Sequence, residues 1–387
     1  MVSGKPELIR RINRTLILDL LRREGPLSRS DLAARTGISL PAVSRTVAEL
    51  VADLWVSEIG EGVSSGGRRP IVLKFNPRAG LAVCVDVTPY RLLGCVADLE
   101  GEILITQSEA SAALGTQLLH QVSGLISRLI EAAGVSSDKL TGIGLAVPGI
   151  PDRAGNCVSW APALEWQEIP VADLLRDRFS CPVVVQNDVD TLLLGEQWRG
   201  AAMGVNHAVA IDVGSGVGAA ILVDGRLYRG RNGAVGEIGH WLTNPGQEPR
   251  PRGFGHLESA IALTAVARKW AVQTGWSEGG EGDAIGAMVA SLHAGEAAAQ
   301  EAVLEMASWI GTVAANLTTL LNPEVIILGG EVLRLAPVIL PEVEQMVASH
   351  SPYPAAVVPA RLGDQSKLLG AVHGLLQQQR SSVSYID

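Results

Sequence analysis

The sequence predicts an α/β protein in two parts. Residues 1–78 form a basic unit of three helices and a β-hairpin, and residues 79–387 form a larger domain of two similar α/β lobes. Helical periodicity dominates the first part, after which the texture changes to apolar strands, glycine turns and longer helices. A strand–turn–strand motif at 81–100 recurs about 128 residues later, as expected of a duplicated unit. At 387 residues the chain also exceeds one core on a prior of roughly 150 residues per domain. With 47% hydrophobic and 18% charged residues, it has the composition of a packed globular protein.

The 31 basic and 40 acidic residues give −9 overall, which argues against a protein that coats nucleic acid along its whole length. The charge is split, however. Residues 1–78 hold 13 basic and 8 acidic side chains, so a net of +5 there leaves −14 on the remainder. No apolar run approaches the roughly 20 residues that span a bilayer. The opening MVSGKPELIRRINR has no signal-peptide core, so a cytoplasmic protein with no membrane attachment is expected. Cys84, Cys95, Cys157 and Cys181 fit neither a disulfide framework nor a Cys-x-x-Cys knuckle. They read as small buried hydrophobes.

Within 7–23, Leu8, Ile9, Ile12, Leu16, Ile17, Leu20 and Leu21 recur at three- and four-residue spacing and predict one apolar helical stripe. Gly25-Pro26 ends that helix. Ser28 caps a short second helix with Asp31 in its first turn, and Gly37 forces the turn that follows. A third helix is expected to start at Ser39 as its cap, to tolerate Pro41 in its first turn, and to bury Val43, Val47, Leu50 and Leu54. This order is that of a helix-turn-helix. The opposite face of the third helix shows Leu40, Ala42, Ser44, Arg45 and Thr46, side chains that let a helix lie deep in a major groove. Of these, Ala42, Ser44, Arg45 and Thr46, together with Ser39, are the candidate DNA contacts, and Arg45 is the candidate base reader. The stretch WVSEIGEGVSSGGRRPIVLKFNP places two β-type runs around a Gly/Ser-rich tip, the pattern of a wing. Arg68 and Arg69, beside Gly66 and Gly67, suit a minor groove or phosphates, whereas Arg10, Arg11 and Arg14 need be no more than solvated.

In the larger part, LAVCVDVTP, RLLGCVADLEG and EILITQSEA read as consecutive strands, followed by a helix near 116–133. KLTGIGLAVPGIPD is a buried strand ending in a Pro-Gly turn. PVVVQNDVDTLLLGEQWRG is a strand entering a helix, and HAVAIDVGSGVGAAILVDGRLYRG gives two strands around a glycine turn. Taken together, the helix-turn-helix with its SSGGRRP wing, GIGLAVPGI, QNDVD, IDVGSGVGAAIL, GAVGEIGH, HLES and NPEVIILGGEV resemble the ROK family (repressors, open reading frames and kinases), in its DNA-binding repressor branch. The resemblance covers nearly the whole chain, and GEIGH ahead of Glu258 is its most specific part. It implies an actin/hexokinase-like fold for the large domain, two lobes around a sugar cleft, and a sugar-responsive transcriptional regulator.

A monosaccharide is held by carboxylates and backbone groups that converge from separate loops. The resemblance assigns that role to Gly149 at the VPG turn, Asn187 and Asp188, Glu237 and His240 of GEIGH, and Glu258 of HLES. Singly, each has an ordinary alternative: Asn187-Asp188 could be a helix cap, and Glu-x-x-His on a turn a solvated pair. In the family's kinases Asp188 would be the base that activates a sugar hydroxyl. Those enzymes also use an Asp-x-Gly-Gly-Thr phosphate loop, where this chain has Asp86-Val87-Thr88-Pro89-Tyr90. Pro89 lacks an N–H, so no kinase activity and no cofactor is expected. Family members commonly hold a structural zinc through the GEIGH histidine and three cysteines. The loop WLTNPGQEPRPRGFGHLES has no cysteine, so zinc is not expected, and His240 with His256 is at most a residual pair.

The expected function is a carbohydrate-responsive repressor, a homodimer or homotetramer that binds double-stranded operator DNA and a monosaccharide effector. A sugar kinase with a DNA-binding extension is the alternative, and a constitutive DNA-binding protein with a vestigial cleft is a third reading. Because no Lys or Arg lies in the motifs that form the cleft, a neutral sugar is expected over a sugar phosphate.

Overall fold

In a computed structural model, described here for residues 4–61, 69–111, 113–136, 139–152, 154–248, 253–277 and 281–384, the amino-terminal unit is three helices and a small sheet. The helices are α1 (Gly4–Glu24), α2 (Arg29–Thr36) and α3 (Leu40–Ala52), and the strands are β1 (Leu27–Ser28), β2 (Val56–Glu61) and β3 (Ile71–Phe75), in spatial order β1-β3-β2. The Ser28 side chain and Asp31 form a reciprocal capping box at α2, and Gly37 ends that helix in the left-handed conformation. Ser39 has cap backbone angles, but its hydroxyl makes no cap hydrogen bond. Helix α3 stops at Ala52, so Leu54 falls beyond it with φ +63 and is 61% exposed rather than buried. The predicted stripe of α1 is likewise only half used. Ile17, Leu20 and Leu21 are buried, while Ile9, Ile12 and Leu16 are exposed, since none of the described residues covers that side of the helix. The wing tip, including Gly66, Gly67 and Arg68, lies outside the described residues.

The first lobe runs β4 (Leu81–Val87), β5 (Arg91–Asp98), β6 (Ile103–Ala110), α4 (Gly115–Ala132), β7 (Leu140–Val147), β8 (Ile150–Pro151), β9 (Val158–Ala161), β10 (Trp166–Ile169), α5 (Val171–Phe179) and β11 (Val183–Asn187). The second runs α6 (Asp188–Arg199), β12 (Ala208–Val213), β13 (Val217–Val223), β14 (Arg226–Leu227), α7 (His256–Ile261), α8 (Leu263–Thr274), α9 (Glu281–His293), α10 (Ala297–Leu321), β15 (Val325–Gly329), α11 (Ala336–His350) and β16 (Ala356–Pro359). It is followed by α12 (Gln365–Ser384). The main sheets have orders β11-β7-β4-β5-β6 and β16-β15-β12-β13-β14. In each, a three-strand antiparallel meander is continued by two parallel strands beside its first member. This is the expected duplication.

Strand alternation decides what each face meets. In β4, Val83, Val85 and Val87 pack under α4, whereas Ala82 and Cys84 join the cluster of α12 and the amino-terminal unit. In β12, Val209, Ile211 and Val213 face α7–α11, and Ala208 and Ala210 face α6. Helices α6 and α12 therefore lie between the two sheets, packed on each other. A Cβ at Gly370 would stand 1.7 Å from Thr191 O, so the two backbones meet at a distance only glycine permits. Glu196, fully buried on α6, accepts hydrogen bonds from Ala201 N, Arg361 N, Leu362 N and Ser366 Oγ, and so fixes the entry to α12. Cys84 and Cys95 are buried as expected, but Cys157 and Cys181 are only half-buried because they sit in loops at the sheet's edge. No helix among the described residues is long and apolar enough to cross a membrane.

Candidate functional site

Asp86 and Asp212 occupy equivalent places near the carboxyl ends of β4 and β12. Their even-numbered register turns both toward the interior helices. Asp188 opens α6 between them, because Asn187 ends β11 and caps the helix by accepting from Val189 N and Asp190 N at 2.8 and 3.0 Å. The cap reading of Asn187 is thus correct, and its Nδ2 also donates to Gly149 O at 2.9 Å. Gly149 has φ +106, and a Cβ there would stand 2.3 Å from Trp160 O, so the VPG turn requires glycine.

The GEIGH turn is held just as tightly. Gly236 O accepts from Ala219 N at 2.8 Å, and a Cβ on Gly236 would stand 1.7 Å from Ala219 O. Glu237, Asp188, Asp190 and Glu258 are close enough for their charges to act on one another. Burial, then Asp188, Glu258 and Asp190, raise the Glu237 carboxyl to about 7. Glu258 uses both oxygens, accepting from Val217 N at 3.1 Å and Gly255 N at 3.2 Å, which ties the β12–β13 turn to the start of α7. Burial raises the Glu258 carboxyl, opposed by these two amides and by nearby His240. His240 packs against Trp160 with ring centroids 5.7 Å apart. Electrostatic reach thus links Asp188, Glu237, Glu258 and His240, and the Asn187–Gly149 hydrogen bond ties the end of β11 beside them to the VPG turn. Trp160 was missed by the motif reading; the aromatic after CVS carries no spacing signal of its own.

The structure corrects the view that no basic residue joins these carboxylates. Lys367 Nζ, in the first turn of α12, lies 3.0 Å from Asp188 Oδ2 and 2.9 Å from Asp212 Oδ2. Burial alone would lower its pKa, but Asp188, Asp212 and Asp86 outweigh burial and hold it well above the ordinary lysine value. Asp86 is pushed up to about 6 by burial, with Lys367 opposing. One oxygen of Asp86 and one of Asp212 are buried without a hydrogen-bond partner. On the rim, Arg229 lies 3.3 Å from Asp190. Sequence spacing could not find Lys367, because 179 residues separate it from Asp188.

At the β4–β5 turn, Thr88 N donates to Arg91 O at 3.0 Å, and the Thr88 hydroxyl both donates to Arg91 O and accepts from Arg91 N. The loop after GEIGH does not fit a tetrahedral zinc. It has no cysteine, His256 Nε2 is engaged with Glu248 O at 2.9 Å, and no group of three or more metal-ligating side chains occurs among the described residues.

On α3, Ser39 and Arg45 are exposed and Ala42 and Ser44 half-exposed. Thr46 is 4% exposed and packs inward, so it is removed from the DNA-facing set. Its side chain falls on the Val43–Val47–Leu50 side of the helix, because that arc is wide enough to turn it toward the core. Arg10, Arg14, Arg29 and Arg35 are paired with Glu49, Asp53, Glu58 and Glu24, and Arg69 lies 3.9 Å from Glu61. Arg45 forms no ion pair among the described residues.

Comparison with known proteins matches the ROK family over residues 82–378 and the MarR family over residues 11–63. The xylose repressor of Caldicellulosiruptor bescii is 28% identical, covering 99% of this chain and 100% of that protein. The Escherichia coli DNA-binding transcriptional dual regulator NagC is 25% identical over 90% of this chain and 87% of its own length. Among solved structures, a ROK family transcriptional regulator, homolog of the E. coli MLC protein, superposes with TM-score 0.79 at 23% identity, covering 97% of this chain and 98% of that one. A ROK family glucokinase from Streptomyces griseus, in complex with glucose and AMPPNP, superposes with TM-score 0.69 at 26% identity over 77% of this chain and 100% of its own.

Proposed function

The chain belongs to the ROK family, and from that premise we propose that it is a sugar-responsive transcriptional repressor. Residues 1–78 bind operator DNA, and residues 79–387 hold a monosaccharide between two lobes. The observation that carries this reading is coverage: a relative named as a xylose repressor aligns over both parts, 99% of this chain. The exposed Arg45 on α3, without an ion pair among the described residues, supports it, since Arg10, Arg14, Arg29 and Arg35 are spent on ion pairs. Ser39, Ala42 and Ser44 are the further contacts beside Arg45, and Arg68 and Arg69 complete the proposed DNA-binding set. The protein acts in the cytoplasm as a homodimer or homotetramer, because a palindromic operator is met by two-fold-related winged helices.

The ligand is a neutral sugar contacted by Gly149, Asn187, Asp188, Glu237, His240 and Glu258. Lys367 does not reverse this charge argument, as it is already shared between Asp188 and Asp212. The reading without enzymatic activity is supported by the same ion pair, which occupies the residue that would act as base, and by a β4–β5 turn that uses the Thr88 hydroxyl to close itself. Operator binding is tested by band shift. Arg45→Ala is expected to weaken the selected duplex by about 1–3 kcal/mol and relax specificity at one position, while Arg69→Ala flattens the salt dependence. Unchanged affinity in the Arg45→Ala variant removes the assignment. An ATP-consumption assay with hexoses and pentoses separates repressor from kinase.

A further inference from the structure

Helix α12 touches both functional parts of the molecule. Its first turn places Lys367 between Asp188 and Asp212, with side-chain exposures of 15%, 14% and 9%. The face carrying Gly370 and Gly374 meets α6 and Gln186. A second stripe, Leu368, Ala371, Val372, Leu375 and Leu376, shares one apolar cluster with Ile17, Leu20 and Leu21 of α1 and Leu73 and Phe75 of β3. The winged helix is thus seated on the same rigid element whose base is pinned by an ion pair in the cleft. Arg22 of α1 adds a second link, donating to Leu99 O in the first lobe and lying over the Phe75 ring.

We propose that Lys367 is the positioning residue that transmits cleft occupancy to the winged helix, by exchanging Asp188 for Asp86 when a ligand takes up the Asp188 carboxylate. This rests on the repressor reading for the identity of the ligand site. A buried ammonium that loses one of two anionic partners must find another, because an unpaired buried charge is costly. Asp86 offers a buried oxygen without a partner, within electrostatic reach of Lys367. The two arrangements differ in which carboxylate Lys367 holds, and so in how the base of α12 is seated. A ligand that competes for Asp188 favours one of them, which is the differential interaction that coupling requires.

The test uses the full chain, with xylose and N-acetylglucosamine as probes and a duplex selected in vitro for tight binding to the parent. In the parent, the binding sugar is expected to change duplex affinity about 5- to 150-fold. Lys367→Met should still bind that sugar by calorimetry but respond less than about twofold, with its sugar-free affinity already displaced toward the parent's sugar-bound value. Lys367→Arg should recover part of the response. Asp86→Asn, which keeps both ion pairs of Lys367, should also bind sugar and respond weakly, and it serves if Lys367→Met fails to fold. A parental response and parental sugar-free affinity in Lys367→Met, or a full response in Asp86→Asn, overturns the proposal. If the parent itself ignores both sugars, the choice of effector fails instead. The sugar-free affinity of Lys367→Met then decides, a displacement supporting the role of Lys367 and parental affinity refuting it.

Discussion

At the head of the first lobe the β4–β5 turn closes on itself, through the Thr88 hydroxyl and the Arg91 backbone. At the head of the second, the β12–β13 turn has its own internal bond, Gly214 N donating to Gly216 O, and is held in addition from outside, by Glu258 of α7 accepting from Val217 N and by Leu263 N donating to Gly214 O. The strand topology is the same at both places, yet the dependence on the cleft differs. The first turn needs no residue of the proposed sugar site, whereas the second is held by one. A ligand that pulls on Glu258 would therefore act directly on the β12–β13 turn, while the β4–β5 turn would feel it only through Asp188 and the helices between the sheets. Duplication preserved the backbone path, and the side chains that close each turn decide which turn is tied to the proposed sugar site.

The largest test of this contrast is Gly236→Ala. The new methyl would stand 1.7 Å from Ala219 O at φ +89, against the strand that leads out of the second turn. A loss of about 3 kcal/mol is expected in urea unfolding, together with loss of sugar binding. A loss below about 1 kcal/mol would show that the GEIGH turn is not packed as described. Next come the two closing side chains, compared directly. Glu258→Ala leaves two backbone amides without their acceptor and should cost about 1–3 kcal/mol and the sugar response. Thr88→Val should cost about 1 kcal/mol while sugar affinity stays at the parent's value in calorimetry. Equal effects on sugar binding would erase the distinction between the turns.

The smallest expected effect is on pH dependence. Glu237 is raised from 4.5 to about 7, chiefly by burial. An acid whose folded pKa lies above its unfolded value favours the folded state while protonated. That contribution is complete below the unfolded pKa and is lost as pH rises through the folded one. Thermal unfolding of the parent should therefore show stability falling between about pH 5 and 8 by on the order of 1 kcal/mol from this group, reduced by its partial exposure. Glu237→Gln should remove that slope. A variant with the parent's full slope would move the titration to another carboxylate of the cleft.

Local chemistry made much of the molecule legible from sequence. The capping box of Ser28 and Asp31, the left-handed Gly37, the alternating strands and the recurrence of strand–turn–strand all arise from neighbours a few residues apart. The grouping of Asn187, Asp188, Glu237, His240 and Glu258 was legible only through the family resemblance, since the loops that bring them together are distant in the chain. Tertiary structure alone decided which arc of α3 is covered, burying Thr46, that the helix stops before Leu54 and leaves it exposed, and which turns of α1 are left bare. It also alone decided that Lys367 stands between Asp188 and Asp212, partners 179 and 155 residues away, and that Glu196 fixes the entry to α12. Periodicity records that a residue lies on a face. Which element covers that face, and which distant charge neutralises a buried one, depends on how two sheets close around a shared pair of helices, and no local pattern carries that information.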